Sequence, residues 1–210
     1  TQPAAIIGIN KEFVASGRLD NLGSTLVAVD SIIESLASID SQESINVIAM
    51  FDNEEVGSQS YQGADSIVFS QTLERIFKTI DNCGTPEKDS FCSACSRSFA
   101  ISADLAHATH PNYEEKHHSN HKVAMHQGVA IKINANQRYA SESEGISILK
   151  DIAKNNSVPT QDFMVKQDSP CGTTIGPIIS GNTGIKTIDI GVGCFAMHSI
   201  RETASSIDFY

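Results

Sequence analysis

Ile45-Asn46-Val47-Ile48-Ala49-Met50-Phe51-Asp52-Asn53-Glu54-Glu55-Val56-Gly57 joins a short apolar run directly to three carboxylates. The run is too short for a stable helix and rich in β-branched residues, so it predicts a buried strand. Like charges gathered at the end of such a strand repel one another and raise their own pKa values, and a bound divalent cation would remove that penalty. A solvated acidic turn is the competing reading. Adjacent glutamates can also divide labour, one binding metal while its neighbour accepts a proton from the attacking water.

Helical spacing flanks the run on both sides. Leu22, Leu26, Val29, Ile33 and Leu36 fall on one face of a predicted helix, and Ser66 to Ile80 predicts a second with Ile67, Leu73, Ile76, Phe77 and Ile80 inward. Ala4 to Ile9 reads as strand, Asp81 to Arg97 as a loop, and Phe99 to Ala103 as strand with Asp104 just after it. Val129 to Ile133, Phe163 to Lys166 and Lys186 to Gly191 read as further strands. Glu142 to Asn155 and Thr173 to Ser180 read as helices, His198 as the opening of a last helix or turn, and Ser205 to Tyr210 as the start of a helix. Strands alternating with helices predict an α/β, three-layer fold with a largely parallel central sheet and helices on both faces. Ligands in such sheets sit outside the carboxyl ends of the strands.

The 210 residues suit one domain, and 40% hydrophobic with 19% charged residues is ordinary globular composition. A formal net charge of −10 argues against a nucleic-acid partner, because such proteins gather Lys and Arg against phosphates. The five cysteines, Cys83, Cys92, Cys95, Cys171 and Cys194, are odd in number and irregular in spacing, so reduced thiols in a cytoplasmic protein are expected. No run of 18 apolar residues is present, so no membrane span is expected.

Several single residues carry two readings. Asp20, before the first helix, is a helix cap or a ligand, and Asp104 is a turn cap or a ligand. His198 is a lone imidazole after an apolar stretch. Six histidines between His107 and His126 would nominate a metal site by spacing, but Pro111 interrupts them and no HExxH pattern appears, so a functional loop is expected there. Cys92 and Cys95 form a CxxC without a second pair, which is weak evidence for zinc.

Taken together, Gly17-Arg18-Leu19-Asp20-Asn21, Phe51 to Ser58, Ile101-Ser102-Ala103-Asp104 with His107, His110 to Tyr113, Lys132, Gln137 to Ser141, Pro170 to Pro177 and Ala196 to Glu202 resemble the aspartyl aminopeptidases, in order and in approximate spacing over nearly the whole chain. The resemblance implies a two-zinc metallopeptidase that releases amino-terminal Asp or Glu from peptides. Asp20 would bridge both ions, Glu55 and His198 would complete one, Asp104 would bind the other, and Glu54 would be the general base. Lys132 would face the acidic substrate side chain, with Tyr139, Gly172, Thr173, Met197 and His107 also at the substrate. The family's first zinc-binding His and its dimerisation domain lie upstream of the matching region, so residues 1–210 are expected to be one partial catalytic domain. Homo-oligomers, dodecamers in the family, are implied for the intact protein. A catalytically incomplete fragment or a binding and assembly module of the same fold is the alternative.

Overall fold

The computed structural model describes residues 2–80 and 90–210. Among the described residues, seven strands form one sheet: β1 (Ala5–Ile7), β2 (Phe13–Ser16), β3 (Phe99–His107), β4 (Val129–Ile133), β5 (Thr160–Met164), β6 (Lys186–Phe195) and β7 (Glu202–Ser205). The helices are α1 (Leu19–Ser35), α2 (Ile67–Ile80), α3 (Ser90–Ser96), α4 (Ser143–Asn155) and α5 (Gly176–Thr183). The α/β class holds. Within the sheet, β3·β6 and β4·β5 pair in parallel, while β1·β2, β2·β7, β4·β6 and β6·β7 pair antiparallel, so the pairing is mixed.

β6 organises the sheet. One edge pairs with β3 from Phe99↔Lys186 to His107↔Cys194. The other edge is shared: Ile190 and Gly191 pair with β4, and Cys194 and Phe195 pair with β7. Burial explains the apolar content of these strands. Ala130, Ile131 and Ile188 are fully buried. α4 sets Gly145, Leu149 and Ala153 four residues apart on its buried face. Leu149 packs with Ile131 and Ile188, and Phe99 and Ile190 pack against them. Full burial of such a side chain contributes about 1.5–3 kcal/mol. A second cluster joins Leu19, Leu105, Val192, Cys194 and Ala204.

Several expectations are corrected. Ile45 to Phe51 forms no strand, and Ile45, Val47, Ile48 and Met50 are exposed. A strand needs a neighbouring ladder, and no described segment pairs with this run. The first helix forms where its spacing predicts, but Leu22, Leu26, Ile33 and Leu36 are exposed, with no described element packed over them. On α2, Leu73, Ile76 and Phe77 are half-buried while Ile67 and Ile80 are exposed. Ser90–Ser96 is helical rather than loop, and the remainder of that predicted loop, residues 81–89 with Cys83 among them, lies outside the described residues. Phe163–Lys166 is displaced to β5, and the Thr173–Ser180 helix begins at Gly176. Residues after Ser205 make turns, not a helix, because β7 draws Glu202–Ser205 into the sheet.

Among the described residues, Leu19–Ser41 is long and apolar enough to cross a membrane by length and composition, with mean hydropathy 1.4 over an 18-residue window, although no uninterrupted run of 18 apolar residues occurs in it. Its first residue is buried in the core beneath the sheet, tying the helix start to the fold. Cys92, Cys95, Cys171 and Cys194 are free thiols.

Candidate metal and catalytic site

Each acidic residue of interest is anchored by its neighbour in the chain. Asp20 follows buried Leu19, and Asp104 precedes buried Leu105, and both leucines belong to one core cluster. Asp104 lies inside β3 rather than after it, because the strand continues to His107. The opening of α1 is not regular helix: Arg18 is left-handed (φ 59°), and Asp20 (φ −81°, ψ 105°) and Asn21 (φ −120°, ψ 30°) are non-helical. Asn21 donates its side-chain amide to the Ala103 carbonyl at 2.8 Å, fastening this turn to β3. Glu54 and Glu55 occupy a single 3₁₀ turn, Glu54–Val56. Before it, left-handed Asn53 (φ 60°) donates to Ser60 Oγ at 2.8 Å and accepts from the Ser58 N–H at 2.9 Å. Asn tolerates the left-handed region better than most residues. His198 (φ 69°) lies in the turn between β6 and β7.

These elements bring Asp20, Glu55 and His198 together. One ligand atom from each lies within 4.8 Å of the others. His198 Nε2 is 3.2 Å from Asp20 Oδ2 and 3.0 Å from Glu55 Oε1. The Asp20 side chain is 6% exposed, against 59% for His198 and 58% for Glu55, so the cluster has a buried floor and an open mouth. Two carboxylates and an imidazole with an open side suit a catalytic zinc ion. The residues therefore fit one such ion. For a second ion the described residues offer Asp20 and Asp104, and Asp104 Oδ2 lies 3.1 Å from Lys132 Nζ.

The charges are strongly perturbed. Burial pushes Asp20 up to about 9, with the Asp104 hydrogen bond and charge and the Glu55 charge adding to it, against Lys132. Burial followed by the Asp104 and Glu55 charges pushes Glu54 up to about 7. Burial also works to raise Asp104, but the Lys132 ammonium and the hydrogen bond with Asp20 outweigh it and leave this carboxyl below its ordinary value. Burial and Lys132 lower His107. Gathered like charges and burial thus favour a neutral Asp20 in the absence of a cation, the penalty that a bound cation would remove.

A cavity of about 620 Å³ opens over the cluster and takes in Asp20, Glu54, Glu55, Asp104, Lys132 and His198. His107, Tyr139, Gly172, Thr173 and Met197 line it as well. Lys132 is 3% exposed, with its ammonium 5.6 Å from the Tyr139 ring centroid. Tyr139 takes the Cys171 thiol at 3.4 Å, and Thr173 donates to the Arg138 carbonyl at 3.0 Å. Beneath this wall, buried Asp189 accepts the Ala140 N–H at 2.6 Å. Gly176 is required there, since a Cβ would collide with the Asp189 carboxylate. Of the histidine-rich loop, His107, His110 and His117 reach the cavity, and among the described residues none joins a metal-ligand group. Cys92 and Cys95 join none either. Sequence reasoning gave no role to Glu202 or Asp189; a lone acidic residue within a strand carries no spacing signal.

A family profile described as Aminopeptidase I zinc metalloprotease (M18) matches residues 1–210. The chain is 45% identical over 211 residues to a probable aspartyl aminopeptidase of Ricinus communis, covering 99% of this chain and 42% of that protein. It is 48% identical over 213 residues to an aspartyl aminopeptidase of Dictyostelium discoideum, covering 99% and 44%. The chain thus spans less than half the length of these curated relatives. Among solved structures, the cryo-EM structure of the Ape4 and Nbr1 complex superposes with a TM-score of 0.94 at 43% identity, covering 99% of this chain and 39% of that one. The S. cerevisiae mApe1 dodecamer superposes with a TM-score of 0.85 at 28% identity, covering 99% and 45%.

Proposed function

The chain belongs to the M18 family of zinc metalloproteases, and from that premise we propose that it supplies the active-site half of an aminopeptidase that releases amino-terminal Asp or Glu from peptides through a dinuclear zinc site. The observation that carries this reading is the convergence of Asp20, Glu55 and His198 within 4.8 Å, beside Asp104, at the floor of one cavity. Asp20 and Asp104 line the same cavity, and the charge of Asp104 helps raise the Asp20 carboxyl, which supports Asp20 as a carboxylate that could serve both ions. Zinc held there would polarise a peptide carbonyl and lower the pKa of an attacking water.

The chain's own groups supply the remaining chemistry. Glu54, raised to about 7, is matched to taking a proton from water near neutral pH and returning it to the leaving amine. Lys132 is a buried, cavity-lining ammonium that already holds one carboxylate at 3.1 Å. With Asp104 turned to metal, that ammonium is suited to the side-chain carboxylate of an amino-terminal Asp or Glu. Tyr139, Gly172, Thr173, Met197 and His107 shape the wall around the substrate. The free amino terminus of the peptide would sit among the carboxylates, which favours cleavage at unblocked ends.

Residues 1–210 form one partial catalytic domain in this reading, and a second ion would need a ligand besides Asp20 and Asp104. Homo-oligomeric assembly is proposed from the dodecameric mApe1 relative. Metal analysis together with cleavage of aspartyl, glutamyl and leucyl arylamides by the intact protein tests the proposal. Two zinc ions with preference for acidic substrates is the expected result. One or no zinc without cleavage would instead favour an incomplete fragment or a binding and assembly module, and preference for leucyl substrate would refute the acidic specificity.

A further inference from the structure

Glu202 opens β7 and is 1% exposed, yet the reaction outlined above does not use it. Its two carboxylate oxygens go to two different parts of the chain. Oε2 accepts the backbone N–H of Asp20 at 2.8 Å, and Oε1 accepts the backbone N–H of His198 at 2.5 Å. Asp20 and His198 stand 178 residues apart and supply two of the three converging ligand atoms. One buried anion therefore ties together the main chains of both.

Both main chains need holding. His198 sits at φ 69°, a left-handed conformation uncommon for a residue with a Cβ, and Asp20 departs from helix at the start of α1. Beside them Gly17 runs close to the Ile200 carbonyl, which would lie 3.2 Å from a Cβ at that glycine, so the two turns press against each other. The β2·β7 register, ending at Ser16↔Glu202, delivers Glu202 to this junction. A carboxylate offers an acceptor oxygen to each N–H group without bringing a donor of its own. A glutamine would satisfy one and point its NH₂ at the other. Charge-assisted bonds of this kind offset the cost of burying the carboxylate.

We propose that Glu202 is a positioning residue: by bridging the backbones of Asp20 and His198 it sets the separation of their ligand atoms and so the affinity of the site for a divalent cation. The inference rests on reading Asp20, Glu55 and His198 as a zinc site. An internal comparator separates this role from plain structural support. Asp208 likewise accepts two backbone N–H groups, those of His126 (2.7 Å) and Gly128 (3.0 Å), but touches no proposed ligand.

The experiment compares wild-type, Glu202→Gln and Asp208→Asn as full chains. Zinc affinity is measured by competition with a chromogenic chelator, ligand geometry by the visible absorption of bound Co²⁺, and metal-free Tm in excess chelator. The expected result is a roughly 10–100-fold loss of zinc affinity and an altered Co²⁺ spectrum in E202Q alone, with D208N binding as wild-type even where its Tm falls as far. Equal affinity in wild-type and E202Q, or equal weakening in both variants, overturns the positioning role and leaves the zinc reading standing. A wild-type chain that binds no zinc overturns both. If E202Q does not fold, hydrogen exchange of the metal-free wild-type decides: protection of the Asp20 and His198 amides is expected, and unprotected exchange of either overturns the bridge.

Discussion

Replacing Asp20 by Asn should stabilise the metal-free protein while abolishing its capacity for zinc. With its carboxyl raised from 3.8 to about 9, folded Asp20 keeps its proton at neutral pH, whereas the unfolded chain has released it. Below pH 3.8 both states are protonated and the group contributes nothing. Between 3.8 and about 9 the folded state binds the extra proton, so stability falls as pH rises. At pH 7 the full shift would correspond to about 4 kcal/mol. Solvent reaching the open side of the site screens that to roughly 1–2 kcal/mol. Asparagine is nearly isosteric with the protonated acid and can still donate toward Asp104, so it keeps the contact and loses the penalty. Urea denaturation in excess chelator at several pH values between 4 and 9 measures this directly. D20N should match wild-type near pH 4 and exceed it increasingly toward pH 9. Added zinc should raise wild-type stability and leave D20N nearly unmoved. A D20N variant less stable than wild-type at pH 8 without metal, or a difference that does not change with pH, would refute the reasoning.

Three further outcomes follow from the site. Glu54→Gln in the intact protein should lower kcat on an aspartyl arylamide by roughly 100-fold or more with zinc content unchanged, and near-normal turnover would remove Glu54 as the base. Lys132→Met should reduce kcat/KM for aspartyl and glutamyl substrates far more than for leucyl, and equal losses on all three would count against charge recognition. Gly176→Ala, which drives a methyl group into the buried Asp189 carboxylate, should cost about 1–3 kcal/mol; an unchanged thermal transition would show that the loop before α5 yields freely.

Local pattern recovered elements whose partners lie within the described residues. Val129–Ile133 was read to the residue, because a run buried on both faces between β5 and β6 must be apolar throughout. β6 was read only to Gly191, since the glycines and Cys194 that let it pack closely weaken the strand signal. β2 and β7 were missed: each is four residues long and is defined by pairing with the other across nearly 190 positions. Ile45 to Phe51 carried a strong strand pattern and formed none, since composition states a preference that only a neighbour can satisfy. Within the site, the paired glutamates stood out by their own pattern, with a solvated acidic turn as the competing reading. Asp20 and His198 did not, because a helix-opening Asp and a lone His have ordinary structural uses, and the resemblance to the aspartyl aminopeptidases singled them out. Glu202 lay inside a matched motif without a role, and its function becomes visible only when the two N–H groups it accepts are seen together.

The pairing of β2 with β7 also fixes when the site can exist. Asp20 lies just beyond one of these strands and His198 just ahead of the other, so the ligands approach only once that long loop has closed. Pairings of such sequence separation carry a loop-closure cost that the rest of the sheet must offset. Loss of that pairing would therefore disperse the proposed ligands even with every ligand residue retained.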